Sequence, residues 1–348
     1  MDVATVLDRA EAQYRISEFE DTLAFSSGMV ITPTGIKFDG RLQNFMYRDV
    51  TVHRLGNERY RHYFEPNDML GDMASVEQKI SAMTVTNKGR AKDYVVHFAS
   101  GNDKENAELK NKSMYQTTCL YVEVSPYSNV VINEHVWKDS PCKIFRIVYV
   151  VREGANLTLV RTYKSGTNQQ HKHDNGTALV LESRIVQHPA STVSVESTNR
   201  ASVKYLQDLF FVKAYKKANT SIKNRYIADD RQSVHCIADV HHVGEEGTSN
   251  VDVKSITNDT SKFTFAGNIK VNKEAERVDA NLQNRNLQLS NTSVVVTEPK
   301  LDISTKEIAC THGCTVSSVD KDQLYLLNTR GFDDNRAKEI LTEAFLDG

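Results

Sequence analysis

The chain has 348 residues, 39% of them apolar, with 43 Lys plus Arg against 45 Asp plus Glu and a net charge of −2. So even a balance argues against nucleic acid as the main partner, because phosphate binding draws on a basic excess. Six prolines and 16 glycines exclude a linker-dominated chain. Five unevenly spaced cysteines (119, 142, 236, 310 and 314) do not form a disulfide framework.

From the N-terminus, Met1–Phe25 is acidic and amphipathic, with Val3, Val6, Leu7, Ala10 and Tyr14 near helical spacing. It lacks the basic start and apolar run of a secretory signal. The longest apolar run, Ile144–Val151, is interrupted by Arg146 and falls far short of the ~20 residues that span a bilayer. No membrane partner is expected, and the chain reads as soluble and cytoplasmic, or in the plastid stroma of a plastid-bearing organism. Residues 1–115 mix this helix with short strands around Pro33-Thr34-Gly35 and end in a charged stretch, Gly101–Lys112.

Residues 116–319 change character. Short β-rich runs follow one another, among them Cys119–Val124, Ile144–Val151, Ala178–Ile185, Val234–Val240, Lys262–Ala266, Thr292–Thr297 and Glu307–Cys310. Many alternate apolar with polar, so one face is buried and the other wetted. No helix-length segment separates them, which excludes a βαβ architecture. The even recurrence and the near absence of Asn-Gly and Asp-Gly hairpin signals favour stacked coils over a sandwich or barrel. The expected fold class is therefore mainly β, a β-solenoid core.

Residues 320–348 return to a helical period. Asp320-Lys-Asp-Gln323 resembles a capping box, and Gly331 is a natural stop. Asp333 or Asp334 then caps a second helix carrying Ala337, Ile340, Leu341, Ala344 and Phe345 on one stripe. This helix either caps the solenoid or docks a partner.

Three clusters carry soft or borderline ligand atoms. In Cys310-Thr-His312-Gly-Cys314, an extended strand sends residues i, i+2 and i+4 to one face. Two thiols and an imidazole then line up, suited to iron or zinc, although neighbours on one strand cannot surround an ion. His235-Cys236 with His241-His242 and the loop pair His171-Lys-His173-Asp174 are weaker candidates, better read as hydrogen-bonded or solvated histidines. No nucleophile elbow, P-loop or dinucleotide fingerprint is present, and the acidic residues nominate no carboxylate pair.

Phe265–Val271, Asp279–Gln283, Asn286–Ser290, Val296–Ile303, Glu307–Thr315, Gln323-Leu-Tyr-Leu-Leu and Thr329-Arg-Gly-Phe332, in this order and spacing, resemble the core of the SufB/SufD family. The resemblance is specific from about Asp239 to Phe345 and weaker back to about Thr117. Cys-Thr-His-Gly is similar to the SufD branch; Asn284 falls where SufB-type chains carry a scaffold cysteine, and Cys314 stands where Ala is common. The resemblance implies a right-handed parallel β-helix and a non-enzymatic scaffold subunit of an iron–sulfur cluster assembly complex. It implies a SufB-like chain joined edge to edge and a SufC-like ATPase docked on the C-terminal helices, with Arg330, Ala337, Ile340, Leu341 and Phe345 as contacts. His312, with Cys310 beside it and Cys314 as a third donor, would then help form a transient iron–sulfur cluster site shared with the partner. The alternative on fold alone is a β-helix carbohydrate-active lyase or hydrolase.

Overall fold

The computed structural model describes residues 27–32, 35–38, 50–53, 80–90, 92–98, 116–137, 142–164, 178–200 and 203–347. The expected helix in Met1–Phe25, the charged stretch 101–112 and the His171–Asp174 loop lie outside them. The strands, in chain order, are β1 (Ser27–Thr32), β2 (Gly35–Phe38), β3 (Val50–His53), β4 (Ile80–Val85), β5 (Lys92–Phe98), β6 (Gln116–Val124), β7 (Asn129–Trp137), β8 (Cys142–Val151), β9 (Asn156–Lys164) and β10 (Ala178–Gln187). There follow β11 (Thr192–Arg200), β12 (Tyr205–Ala214), β13 (Asn219–Ala228), β14 (Ser233–His242), β15 (Thr248–Thr257), β16 (Lys262–Val271), β17 (Val278–Gln288), β18 (Val294–Ile303) and β19 (Ile308–Ser318), then helices α1 (Lys321–Thr329) and α2 (Asp334–Asp347).

From β4 onward, successive strands alternate between two sheets. Sheet A runs β19-β17-β15-β13-β11-β9-β7-β5-β1-β2, odd-numbered but for β2, and sheet B β18-β16-β14-β12-β10-β8-β6-β4-β3, even-numbered but for β3. Neighbours pair in parallel except β1–β2 and β3–β4. In sheet A one register column reads Asn129, Asn156, Thr192, Asn219, Thr248, Asp279, Ala309, so each coil takes roughly thirty residues. The chain is thus a parallel β-solenoid of about six turns with C-terminal helices. Strands β4 and β5 stack in parallel on β6 and β7, continuing both sheets below residue 116.

Period-two patterning builds the core. In β16 every second residue (Phe263, Phe265, Gly267, Ile269, Val271) is buried in the lumen between the sheets. Gly267 makes room there, since a Cβ would stand 2.6 Å from the Phe265 ring and 2.7 Å from Leu282. Pro299 sits inside β18, which is tolerated because β18 is the outermost strand of sheet B and one of its ladders is open.

The turns from sheet B to sheet A explain why hairpin signals are scarce. Tyr127, Gly154, Ala190, Lys217, Glu246 and Arg277 each occupy the left-handed region and stack in one column. Each backbone N–H donates to the carbonyl of Glu153, Pro189, Lys216, Glu245, Glu276 and Glu307 respectively, at 2.7–3.1 Å. A left-handed non-glycine residue costs ~1–2 kcal/mol. The inter-coil hydrogen bond offsets this strain at five non-glycine positions, so the turn needs no glycine signature.

The helices are capped as expected: Asp320 accepts from the Asp322 and Gln323 N–H groups, and of the two candidates it is Asp333 that accepts from the Arg336 N–H at 2.9 Å. The end of α2 folds back on the outer face of sheet A. Lys254 Nζ donates to the Phe345 and Leu346 carbonyls (2.8 and 3.2 Å) and Arg225 Nε to Leu346 O (3.1 Å), cations complementing a helix C-terminus. Leu346 packs with Ile256 and Leu287, and Phe345 flanks them.

Candidate functional site

β19 is the last strand of sheet A, stacked on β17 alone. Register places Cys310 over Ala280, His312 over Leu282 and Cys314 over Asn284. Those three β17 residues are buried in the lumen, so the whole Cys310–His312–Cys314 row lies on the lumen-facing side of the final coil. Because no described strand stacks above it, His312 and Cys314 are exposed, and Cys310, half-buried, packs against the core. Sheet B supplies the opposite wall, where the Cys314 thiol donates to Thr297 Oγ1 at 3.2 Å. Burial, with a smaller contribution from Asp279, raises the Cys310 thiol pKa, so this sulfur stays protonated at neutral pH. Gly313 faces the other way: a Cβ there would stand 2.9 Å from Gln283 Oε1, so the strand lies close over its neighbour's side chain.

The three donors share a face, as their spacing predicts, but they remain neighbours on one strand. Among the described residues no group of three or more His, Cys, Asp or Glu is placed to hold a metal ion. A complete site here requires ligands beyond these three. Asn284 is buried and satisfied, donating to Val253 O at 3.2 Å and accepting from Asn286 Nδ2 at 2.7 Å.

His235-Cys236 and His241-His242 split as strand alternation dictates. Cys236 and His242 are buried, with the Cys236 thiol 3.4 Å from the Tyr226 hydroxyl and pushed up to about 12 by burial. His242 lies 2.9 Å from Ser249 Oγ, and burial lowers its pKa to about 4, so it is neutral at pH 7. His241 faces outward and bonds Asn272 at 2.7 Å. His241 and His242 are thus hydrogen-bonded strand histidines, whereas His235 Nε2 is buried without a hydrogen-bond partner among the described residues.

Of the expected helix contacts, Arg330 is exposed, Ile340, Leu341 and Phe345 are half-buried, and Ala337 is fully buried and presents no surface. Phe345 is engaged by this chain's own Lys254, whose ammonium lies 5.6 Å from its ring centroid. The exposed apolar surface of the helical pair is instead Tyr325, Leu326 and Phe332.

A charged cluster deep in the lumen has no counterpart in the sequence reading. Arg161 Nε donates to Glu134 Oε2 (2.7 Å), Nη1 to Asp208 Oδ1 (2.6 Å) and Nη2 to Ser183 Oγ (2.6 Å). Tyr149 donates to Glu134, and Tyr163 and Tyr226 donate to Asp208 Oδ2 at 2.8 and 2.9 Å. All three charged residues are buried. Burial and the neighbouring carboxylates raise all three phenol pKa values, so the tyrosines remain donors. Its members sit on six different strands, so no local motif reveals it. The available signal is a charged residue at an inward position of an apolar run, as with Arg161 after Leu157 and Leu159.

The described residues thus form a parallel solenoid whose terminal coil opens on a row of two thiols and an imidazole. Comparison supplies the family: residues 105–345 match the SUF system FeS cluster assembly, SufBD core domain, and the chain belongs to that family. It is 30% identical over 128 residues to a SufBD family iron–sulfur cluster assembly protein of Synechocystis (37% of this chain, 27% of that protein). It is 33% identical over 92 residues to the iron–sulfur cluster assembly protein SufD of Escherichia coli (26% of this chain, 22% of that protein). It is also 28% identical over 106 residues to the SufB protein of Bacillus subtilis (30% and 23%). The aligned stretches thus span about a quarter of these relatives' lengths. The relatives are named for cluster assembly, and the carbohydrate-active alternative is set aside. Among the described residues no helix is long and apolar enough to cross a membrane.

Proposed function

We propose that the chain is a SufD-like, non-catalytic scaffold subunit of an iron–sulfur cluster assembly complex in cytoplasm or plastid stroma. Its open coil, β18 with β19, pairs edge to edge with a SufB-like chain. His312, flanked by Cys310 and Cys314, contributes donors to a nascent cluster, which is cargo passing through the interface. One observation carries this reading: the three donors lie on the lumen-facing side of a terminal coil upon which no described strand stacks, with His312 and Cys314 exposed. Unpaired strand edges template pairing with another chain, and Val294, Val296, Ile303 and Val316 add exposed apolar surface to this end. A SufC-like ATPase docks on the helical pair, where Tyr325, Leu326 and Phe332 stand 71%, 51% and 40% exposed, and ATP hydrolysis there rearranges the shared interface.

The test is anaerobic co-expression of the tagged chain with SufB-like and SufC-like partners. One co-purifying complex is expected. Val316→Glu should release the SufB-like chain alone, and Leu326→Glu the ATPase alone. Recovery of a lone monomer that ignores both partners overturns the proposal.

A further inference from the structure

The outer face of sheet B carries a groove of about 550 Å³, within the usual range for small-molecule sites and independent of the scaffold reading. Three register columns build it. Val148, Arg184, Phe211 and Asp239 follow one another across four coils, and Val186, Lys213 and His241 form the next column. Beyond the strand ends, Arg152, His188 and Tyr215 make a third, their N–H groups donating to the carbonyls of Val124, Val151 and Gln187.

The floor is apolar, from Val148, Val186 and Phe211, and Arg184, Lys213 and Arg152 supply one cation to each column. Arg152 holds Glu123 through Nε at 2.9 Å and His188 Nε2 through Nη1 at 3.1 Å. Arg184 pairs with Glu182 at 2.5 Å. Lys213 is exposed, 5.6 Å over the Tyr215 ring, and makes no ion pair among the described residues. His188 stacks on Tyr215 with centroids 5.9 Å apart. Burial, then the Arg152 charge, lowers the His188 pKa. The neutral ring accepts from Arg152 at Nε2 and so carries its proton on Nδ1. Opposite stand His241, bonded to Asn272, and Asp239, whose carboxyl pKa burial raises. The groove thus joins a flat apolar floor to an ammonium, a guanidinium and an imidazole N–H.

We propose that this groove binds a small phosphate-bearing molecule with a planar ring, of mononucleotide size, its phosphate on Lys213 and Arg152 and its ring over Phe211. A lone anion would leave the floor uncovered; a neutral ring would leave Lys213 unused.

The test uses the full chain and fluorescence anisotropy of N-methylanthraniloyl-AMP, displaced by AMP, by adenosine or by inorganic phosphate. Saturable binding is expected, with AMP displacing at least about tenfold better than either fragment. Lys213→Gln and Arg152→Gln should each weaken binding by about tenfold or more, the loss of one charge-assisted contact. Lys223→Gln, an exposed lysine on sheet A, should change nothing. Absence of displacement by AMP up to about 1 mM, displacement by phosphate alone as good as by AMP, or an equal loss in Lys223→Gln each overturns the proposal.

Discussion

One inward register column of sheet A passes from the most highly charged part of the lumen to its open end. It reads Glu134, Arg161, Ser197, Asn224, Val253, Asn284, Cys314. In the middle, coils close over the lumen on both sides, and all three donor nitrogens of Arg161 are taken by protein acceptors. At the end, the same position holds a thiol with one hydrogen bond, to Thr297, beside a histidine that bonds no described residue. A buried charge must be paired where it stands, because its desolvation is costly. A group on an unroofed coil keeps its ligand capacity for whatever covers it. The fold is identical at both places; only the presence of a next coil differs.

The middle should be the less forgiving of the two. Arg161→Met strands the Glu134 and Asp208 carboxylates without their cation, and we expect a loss of about 3–5 kcal/mol in urea unfolding, enough to threaten folding. A smaller loss would mean that the carboxylates take up protons, which a pH-dependent unfolding midpoint would reveal. Acid should act next. His242 has a native pKa of about 4 against 6.5 unfolded. The native state therefore resists a proton that the unfolded chain accepts. Stability is complete above pH 6.5 and falls as the pH drops toward 4, by up to roughly 3 kcal/mol. In His242→Asn that window should flatten, as read by denaturation midpoints from pH 7.5 to 4.

A third effect falls on the helical end. Lys254 is 1% exposed and holds two carbonyls of α2. Lys254→Met should cost about 1–2 kcal/mol and raise amide exchange in α2 more than in β15. Uniform exchange across both would show that the helix is integral to the core instead of seated upon it.

The solenoid was legible because its cause is repetitive. Alternation in Lys262–Val271 or Thr192–Glu196 points each side chain in or out, whatever the neighbouring coils contain. Asn219–Ala228 was harder to see, since its inward face carries Thr220, Asn224 and the hydroxyl-bearing Tyr226, and the partners of Thr220 and Tyr226 lie on other strands. The Cys310–His312–Cys314 row could be placed on one face from spacing, yet whether that face was roofed depended on β19 being the final strand. The Arg161 cluster and the sheet B groove depend on register between strands tens of residues apart, which no local pattern states.

The smallest stability effect belongs to the residue on which the proposed function leans most. His312 is exposed, lies over Leu282 and makes no hydrogen bond to a described residue, so His312→Ala should shift unfolding by no more than about 0.5 kcal/mol. If its imidazole is a donor to cargo at a shared edge, the same change should leave the complex with SufB-like and SufC-like chains intact while lowering cluster yield about tenfold or more, followed by anaerobic absorbance. Cys314→Ser tests the neighbouring position with a group that keeps the Thr297 contact and loses the soft donor. A His312→Ala protein as unstable as Arg161→Met would abolish the distinction between roofed and open coils. A stable one with undiminished cluster yield would keep that distinction and remove His312 from the site.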